Sequence, residues 1–187
     1  FTATSGPGLS LMAESISMAA VAEIPVVIID VMRAGPSTGM ATKVEQSDIR
    51  YAVGSGHGDA EKIVLAAASI EDCYYIVQEA FNLAEEYQTP VIVLSDLQFG
   101  MCKQSVPAFD RNRIGIRRGK LVTEGLSELD MKTKSYFHRF EDTEDGISPR
   151  TIPGVKNGMF LSTGLEHNVF GKPAEGQGDR VMEMEKP

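Results

Sequence analysis

The chain has 187 residues and a formal net charge of −8, with 42% hydrophobic and 24% charged residues. These values are typical of a globular protein, and the length allows one good-sized core rather than two. The acidity argues against a nucleic-acid-binding protein, and no apolar run approaches the roughly 18 residues of a membrane span.

The basic and cysteine residues form no pattern that indicates a ligand. The most basic stretch, RNRIGIRRGK at Arg111–Lys120, is expected to be a solvated loop, with polyanion binding as the less favoured alternative. Cys73 and Cys102 lie far apart without metal-ligand spacing, so neither a metal site nor a disulfide is predicted. Because no signal-peptide pattern is seen, a cytoplasmic protein is expected.

The first quarter of the chain predicts a strand, a helix and a second strand. Residues 1–8 resemble a strand end followed by a tight turn. A helix is predicted from Leu9 to Ala22, where apolar residues recur at helical spacing. Pro25–Val31 is short, apolar and β-branched, which is typical of a strand buried on both faces of a parallel sheet.

The same alternation continues to about residue 100. Lys43–Val53 is predicted to be helical in part, and Lys62–Ala67 to be a second buried strand. Ser69 with Asp72 predicts a capped helix that runs to about Tyr87, and Pro90–Asp96 predicts a third strand. The apolar stripe of that helix is predicted to consist of Cys73, Ile76, Val77, Ala80, Phe81 and Ala84.

This order of elements predicts an α/β fold, a parallel sheet with helices on both faces and right-handed crossovers. Residues 1–100 are expected to form its core. Residues 101–187 carry many turn signals and no long periodic segment, so they are expected to form an irregular arm toward a partner or a further domain. A partly disordered tail is the alternative, which the aromatic content disfavours.

Arg33 is the strongest candidate for a functional residue. It follows the strand Pro25–Val31 and opens a loop that contains Gly35, Ser37, Thr38 and Gly39. Ligands of open α/β sheets bind beyond strand ends, and a guanidinium matches the two oxygens of a carboxylate or phosphate. The alternative is a salt bridge with a neighbouring carboxylate such as Asp30 or Glu45.

The other candidates depend on weaker signals. The turn Ser5-Gly6-Pro7-Gly8 could present backbone N–H groups to an anion or a cofactor edge, but a purely structural turn is favoured. Thr42 could donate its hydroxyl to a substrate or cap a helix, and Gln46 could face a site or solvent. His57, between glycines, could serve as an acid or base or lie on the surface.

Four segments resemble one protein family. They are TATSGPGLSLMAESISMA, EIPVVIIDVMRAGPSTGMATKVEQSDI, GSGHGD and AFNLAEEYQTPVIVLSD. Together they resemble the α subunit of thiamine-diphosphate-dependent 2-oxoacid:ferredoxin oxidoreductases. The later YFHRFEDTEDGISPRTIPG and GLEHN resemble its 2-oxoglutarate-type members in particular.

The resemblance implies a pyrimidine-binding domain of the thiamine-diphosphate fold. It implies that Arg33 and Thr42 contact the 2-oxoacid, with Arg33 at its carboxylate. The expected reaction is oxidative decarboxylation to an acyl-CoA, with electrons passed to ferredoxin. A β subunit is expected to supply the Mg²⁺ and diphosphate site and a [4Fe-4S] cluster, and a γ subunit or domain is possible within the family.

In the family, the glutamate that activates the cofactor precedes the segment that matches FTATSGPG. No catalytic residue is therefore assigned within these 187 residues, and the chain is expected to be part of a longer polypeptide. The alternatives are a non-catalytic assembly component with the same fold, or a relative that acts on pyruvate or branched-chain 2-oxoacids. An unrelated nucleotide-binding protein would not explain RAGPSTGMATKVEQ.

Overall fold

The computed structural model describes residues 1–41, 43–124, 126 and 137–186. The chain divides into two compact units, residues 1–117 and 118–187. No helix in these described ranges is both long and apolar enough to cross a membrane.

A four-stranded parallel sheet forms the centre of the first unit. Its strands lie in the order β1-β2-β4-β3, so β2 and β4 are central. Both central strands are rich in valine and isoleucine, because β-branched side chains pack well on a buried pleated surface. The bounds are β1 Thr2–Thr4, β2 Val26–Met32, β3 Ile63–Ala66 and β4 Pro90–Asp96.

Helices cover both faces of this sheet, which confirms the predicted fold class. On one face Leu9 and Ile16 pack against Ile28 and Ile92. On the other face Ala80 and Ala84 pack against the central strands. The helices of this unit are α1 Pro7–Ser10, α2 Ala13–Val21, α3 Ile49–Gly54, α4 Ile70–Tyr87 and α5 Leu97–Met101.

The longest helix, α4, begins where the sequence predicts. The Ser69 hydroxyl accepts a hydrogen bond from the Asp72 N–H at 3.0 Å, and the Asp72 carboxylate accepts one from the Ala68 N–H at 2.9 Å. This reciprocal pair satisfies two amides at the helix start. The predicted capping pair is therefore confirmed, with the acidic side chain reaching one residue beyond the cap.

Three local predictions are wrong in detail. The helix predicted over residues 9–22 is interrupted between α1 and α2 at Leu11 and Met12. Leu9 and Ile16 contact the same core on either side of the break, so the apolar spacing cannot reveal it. The segment predicted as a second buried strand is the half-buried edge strand β3, because β4 flanks it on one side. Phe81 is 41% exposed and lies outside the buried stripe of α4.

The described part of the second unit consists mainly of loops. Its regular elements are the parallel pair β5 Leu121–Val122 and β6 Arg150–Thr151, with the helix α6 Gln177–Met184. Buried side chains include Phe137, Phe140 and His167. The Thr151 hydroxyl donates a 2.6 Å hydrogen bond to the Gly158 carbonyl, so a polar group of the unit is satisfied locally.

Candidate functional site

An open pocket of about 530 Å³ lies beyond the carboxyl ends of β1 and β2. Parallel α/β sheets hold ligands at this edge. The turn after β1 forms one wall, and the loop after β2 with the start of α3 forms the other. The lining residues are Gly6, Pro7, Ser10, Arg33, Ala34, Gly35, Pro36, Ser37, Glu45, Ser47, Asp48 and Tyr51.

The loop after β2 is closed by its own backbone. The Ala34 N–H donates to the Lys43 carbonyl at 3.1 Å, and the Met40 N–H donates to the Ala34 carbonyl at 3.2 Å. Gly39 has a φ of 52°, and a Cβ there would collide with the Ala34 carbonyl oxygen. Glycine is therefore required at position 39 for the loop to return to its starting point.

Arg33 is held through its backbone at both peptide groups. Its N–H donates to the Asp48 carboxylate at 3.2 Å, and its carbonyl accepts from the Ser47 hydroxyl at 2.7 Å. Its side chain then passes directly over Gly6, where a Cβ would lie 2.8 Å from the Arg33 Nε. The absence of a side chain at Gly6 therefore makes room for the arginine.

The Arg33 guanidinium makes no ion pair with any residue that the structure describes, including Asp30 and Glu45. Its Nε is buried without a hydrogen-bond partner. Buried donors are usually satisfied, so an unused one beside a pocket indicates a place for an acceptor. Arg33 also lines a second, mostly apolar pocket of about 320 Å³ with Ala3, Thr4, Ser5, Val31, Met32 and Leu97.

Asp30 lies beneath the same wall and is fully buried. Burial raises the pKa of its carboxyl to about 7, and the neighbouring Asp48 charge acts in the same direction. The Gly6 N–H partly opposes this rise in pKa, although its geometry falls short of a hydrogen bond. A carboxyl group thus remains without a partner next to the arginine site.

The turn at Ser5–Gly8 is tightly packed. The Gly8 N–H donates to the Ser5 carbonyl and the Leu9 N–H donates to the Gly6 carbonyl, so both amides are used within the turn. A Cβ at Gly8 would collide with the Thr4 hydroxyl. Gly6 and Pro7 line the first pocket and Ser5 the second, so contact with a cofactor edge stays a prediction for this turn.

The remaining predicted site residues differ in whether they line the pocket. Gly35 and Ser37 line the first pocket, whereas Thr38 and Gln46 are exposed in the same loop without lining it. His57 is exposed and does not line either pocket, and its N–H donates to the Ser17 hydroxyl at 2.6 Å. Thr42 lies outside the described residues, so its role stays a prediction.

The pocket also contains residues that were not assigned from the sequence. They are Ser10 on α1, Ser47 and Asp48 before α3, and Tyr51 on α3. The Tyr51 hydroxyl donates to the Ser10 carbonyl at 3.2 Å and so joins the two walls. Of these residues, Asp48 could have been predicted to lie at the start of a helix, because an acidic residue directly before a helical segment is typical of a helix N-terminus.

In the part of the chain that the structure describes, no three His, Cys, Asp or Glu side chains are grouped so that they could hold a metal ion.

The chain matches one protein family and is similar to several named relatives. Residues 1–186 match the family described as "Pyruvate flavodoxin/ferredoxin oxidoreductase, thiamine diP-bdg". The chain is 46% identical over 183 residues to 2-oxoacid:ferredoxin oxidoreductase 2, subunit alpha, of Aeropyrum pernix, covering 97% of this chain and 26% of that protein. It is 54% identical over 189 residues to 2-oxoglutarate synthase subunit KorA of Archaeoglobus fulgidus, covering 90% of this chain and 54% of the relative.

A solved structure shares the fold. It is the 2-oxoglutarate:ferredoxin oxidoreductase from Magnetococcus marinus with 2-oxoglutarate, coenzyme A and succinyl-CoA bound. The TM-score is 0.85 and the identity 39%, over 98% of this chain and 31% of that one. The chain thus spans between about a quarter and a half of the length of the relatives described here.

Proposed function

The chain belongs to the pyruvate flavodoxin/ferredoxin oxidoreductase family of thiamine-diphosphate-binding regions, and we propose that it forms the oxoacid-binding side of a 2-oxoacid:ferredoxin oxidoreductase α subunit. The proposed reaction is oxidative decarboxylation of a 2-oxoacid with coenzyme A. Its products are an acyl-CoA and CO₂, and the two electrons pass to ferredoxin.

The observation that supports this proposal is that the Arg33 guanidinium lies at the pocket without an ion-pair partner among the described residues. Its backbone is fixed by Ser47 and Asp48, its side chain is supported by Gly6, and its Nε is buried without a partner. A 2-oxoacid presents a planar carboxylate, which matches parallel guanidinium donors in charge and geometry. Arg33 is therefore suited to bind the carboxylate that leaves as CO₂.

The contribution of Arg33 in this scheme is orientation. Because the Arg33 backbone and side chain are both held in place, the guanidinium binds the carboxylate in one orientation. Substrate binding therefore already includes part of the entropic cost of reaching the reactive geometry. Because the 2-oxo carbon is bonded to the carboxylate carbon, its position relative to Arg33 is then restricted as well. Thr42 is proposed as a second contact of the oxoacid.

The pocket wall fits a thiamine cofactor edge at the turn after β1. Gly6 carries no side chain, Pro7 lines the same wall, and the neighbouring Arg33 Nε is a buried donor without a partner. Ser5 and Gly8 complete the proposed contact segment. Thiamine diphosphate, when bound, supplies the electron sink that decarboxylation of a 2-oxoacid requires.

We assign the Mg²⁺ and diphosphate site and a [4Fe-4S] cluster to a β subunit, with ferredoxin as the electron acceptor. A γ subunit or domain completes the complex in this proposal. The remaining loop residues, Gly35, Ser37, Thr38 and Gln46, together with His57, are proposed to border the site in the assembled enzyme.

We propose 2-oxoglutarate as the substrate. Two observations support this choice over pyruvate and branched-chain 2-oxoacids: the Archaeoglobus fulgidus relative is named a 2-oxoglutarate synthase subunit, and the Magnetococcus marinus structure holds 2-oxoglutarate. Other relatives carry the general name 2-oxoacid:ferredoxin oxidoreductase, so the preference has to be measured.

The test uses the native complex that contains this chain, purified without oxygen. Coenzyme-A-dependent reduction of a low-potential dye is measured in parallel with 2-oxoglutarate, pyruvate and 2-oxoisovalerate. We expect the highest kcat/KM with 2-oxoglutarate and loss of activity on removal of thiamine diphosphate. Activity with another oxoacid instead would correct the substrate. No activity with any of the three, from a complex with intact clusters, would support the non-catalytic assembly component.

A further inference from the structure

Asp30 is a buried acid for which the proposed reaction has no use. It lies on β2 in the alternation Ile28-Asp30-Met32, on the sheet face that carries α1, α2 and α3. Its neighbours on that face of the strand are core residues, yet both of its carboxyl oxygens are fully buried without a hydrogen-bond partner. Such a group is costly unless it is uncharged.

No cation among the described residues pairs with Asp30. The titratable side chains on the elements around it are Glu14, Arg33, Asp48, Arg50, Tyr51 and Asp96. Asp48 raises the pKa of Asp30, whereas Arg33 does not pair with it. β1 and the turn Ser5–Gly8 carry no ionisable side chain, and Asp96 accepts from the Phe99 N–H at the start of α5.

We infer that Asp30 is a positioning residue for Arg33: a buried acid below Gly6 that, in its protonated form, leaves the guanidinium available for the carboxylate of an oxoacid. The inference rests on the proposed function, because it requires an anionic substrate at Arg33. It adds a group that acts through the arginine and does not itself touch the substrate.

Asp30 and Arg33 both contact Gly6. The Gly6 N–H faces Asp30, and Gly6 is also the surface on which the Arg33 Nε lies. Asp48, which holds the Arg33 N–H, is close enough to Asp30 for their charges to repel. An ionised Asp30 would therefore attract the guanidinium inward and at the same time repel the carboxylate that supports the Arg33 backbone.

Substrate affinity should consequently depend on the protonation of Asp30. An anion bound at Arg33 favours the uncharged acid, so binding takes up a proton when Asp30 is ionised. Because the pKa of Asp30 is raised to about 7, the affinity is highest below pH 7 and falls as the pH rises through this value. An ordinary surface aspartate, with a pKa of about 4, would be ionised throughout this range and would give no inflection near pH 7.

The experiment measures KM for the preferred oxoacid between about pH 6 and about pH 8.5 in the assembled, active complex. For the unsubstituted enzyme we expect KM to rise roughly threefold to tenfold across this range, with one inflection near pH 7. Asp30→Asn, which imitates the protonated acid, should give a flat profile at the low-pH value. Asp142→Asn, a change of an exposed aspartate in the second unit, should leave the inflection in place.

Asp48→Asn provides the second variant if Asp30→Asn fails to fold. Its amide oxygen can still accept from the Arg33 N–H, but the charge that raises the pKa of Asp30 is gone, so the inflection should move to lower pH. An inflection that persists in Asp30→Asn, or one that Asp48→Asn leaves unmoved, would overturn the role of Asp30. A flat profile in an enzyme that turns over the oxoacid would do the same. Absence of turnover at every pH would instead refute the proposed function, and the inference with it.

Discussion

At the scale of single residues, the site depends on neighbours that hold a charged side chain in place. Ser47 and Asp48 fix the peptide groups of Arg33, and Gly6 provides the surface for its side chain. A long side chain normally loses rotamer freedom when it binds a ligand. Because much of this ordering is complete before binding, the arginine is preorganised for an anion.

Replacement of Arg33 by alanine should mainly raise KM for the oxoacid. Hydrogen bonds to charged groups contribute about 1.5–3 kcal/mol, which corresponds to roughly a 10-fold to 100-fold increase. Arg33→Lys should recover part of the loss, since it keeps the charge without the fork geometry. Arg50→Ala, at an exposed position on α3, is the control. An unchanged kcat/KM in Arg33→Ala would contradict the assignment.

Gly6→Ala should weaken substrate binding in the same direction without removing any charge. The added Cβ would lie 2.8 Å from the Arg33 Nε, and alanine is strained at the Gly6 φ of 58°. We expect a KM increase together with a loss of about 1–2 kcal/mol in stability. Gly54→Ala, where the Cβ would enter open space, is the matched control for steady-state kinetics. Equal KM values in the two variants would show that Arg33 does not depend on Gly6.

At the scale of elements, a buried amide connects α4 to the segment that follows α5. The Asn82 side chain donates to the Gly115 carbonyl at 2.7 Å and accepts from the Arg117 N–H at 2.9 Å. The Arg117 guanidinium also pairs with Glu79 at 2.6 Å and Glu86 at 2.8 Å, which raises its pKa. These ion pairs are partly exposed, so they should contribute less than the buried amide.

Asn82→Ala should therefore lower the free energy of unfolding by about 1–3 kcal/mol, because the Gly115 carbonyl and the Arg117 N–H both lose the Asn82 side chain as their partner. Arg117→Met removes both ion pairs but keeps the N–H that Asn82 accepts, so it should cost less than about 1 kcal/mol. Urea unfolding of the full-length subunit, followed by circular dichroism, measures both values. A larger cost for Arg117→Met would mean that the ion pairs hold this segment instead.

At the scale of the whole molecule, Asp30 makes stability depend on pH. Its pKa is raised from 3.8 to about 7 in the folded state, so unfolding releases a proton between these values. The contribution of Asp30 to stability is accordingly fully present below about pH 4 and is lost as the pH rises through about 7. The lowered pKa values of Glu79 and Asp145 act in the opposite direction, but only as the pH falls through more acidic values.

From about pH 5 to about pH 8 we expect the free energy of unfolding to fall by on the order of 3 kcal/mol because of Asp30. Asp30→Asn should lack this component and should be more stable than the unsubstituted subunit at pH 8. Urea midpoints at several pH values provide the measurement, with Asp142→Asn as the control. A parallel pH dependence in the Asp30→Asn and unsubstituted proteins would exclude a raised pKa at Asp30.

Local signals account for most of what could be predicted. The strand Pro90–Asp96 has the predicted bounds, because β-branched residues in a short apolar run suit a buried pleated strand. The start of α4 could also be predicted from the sequence, since the Ser69 cap and Asp72 lie within four residues of each other. The break between α1 and α2 could not be predicted, because both helices present apolar residues to one core at a continuous spacing.

The sequence by itself determined the fold class, the family resemblance and the position of Arg33 directly after a buried strand. Only the tertiary structure decided that this arginine lies over Gly6 without an ion pair, that Asp48 holds its backbone, and that Asp30 is buried beneath them. Periodicity and caps arise from neighbours along the chain. Contacts among residues 6, 30 and 48 arise from the parallel pairing of β1 with β2 and the packing of α3, which bring distant segments to one edge of the sheet.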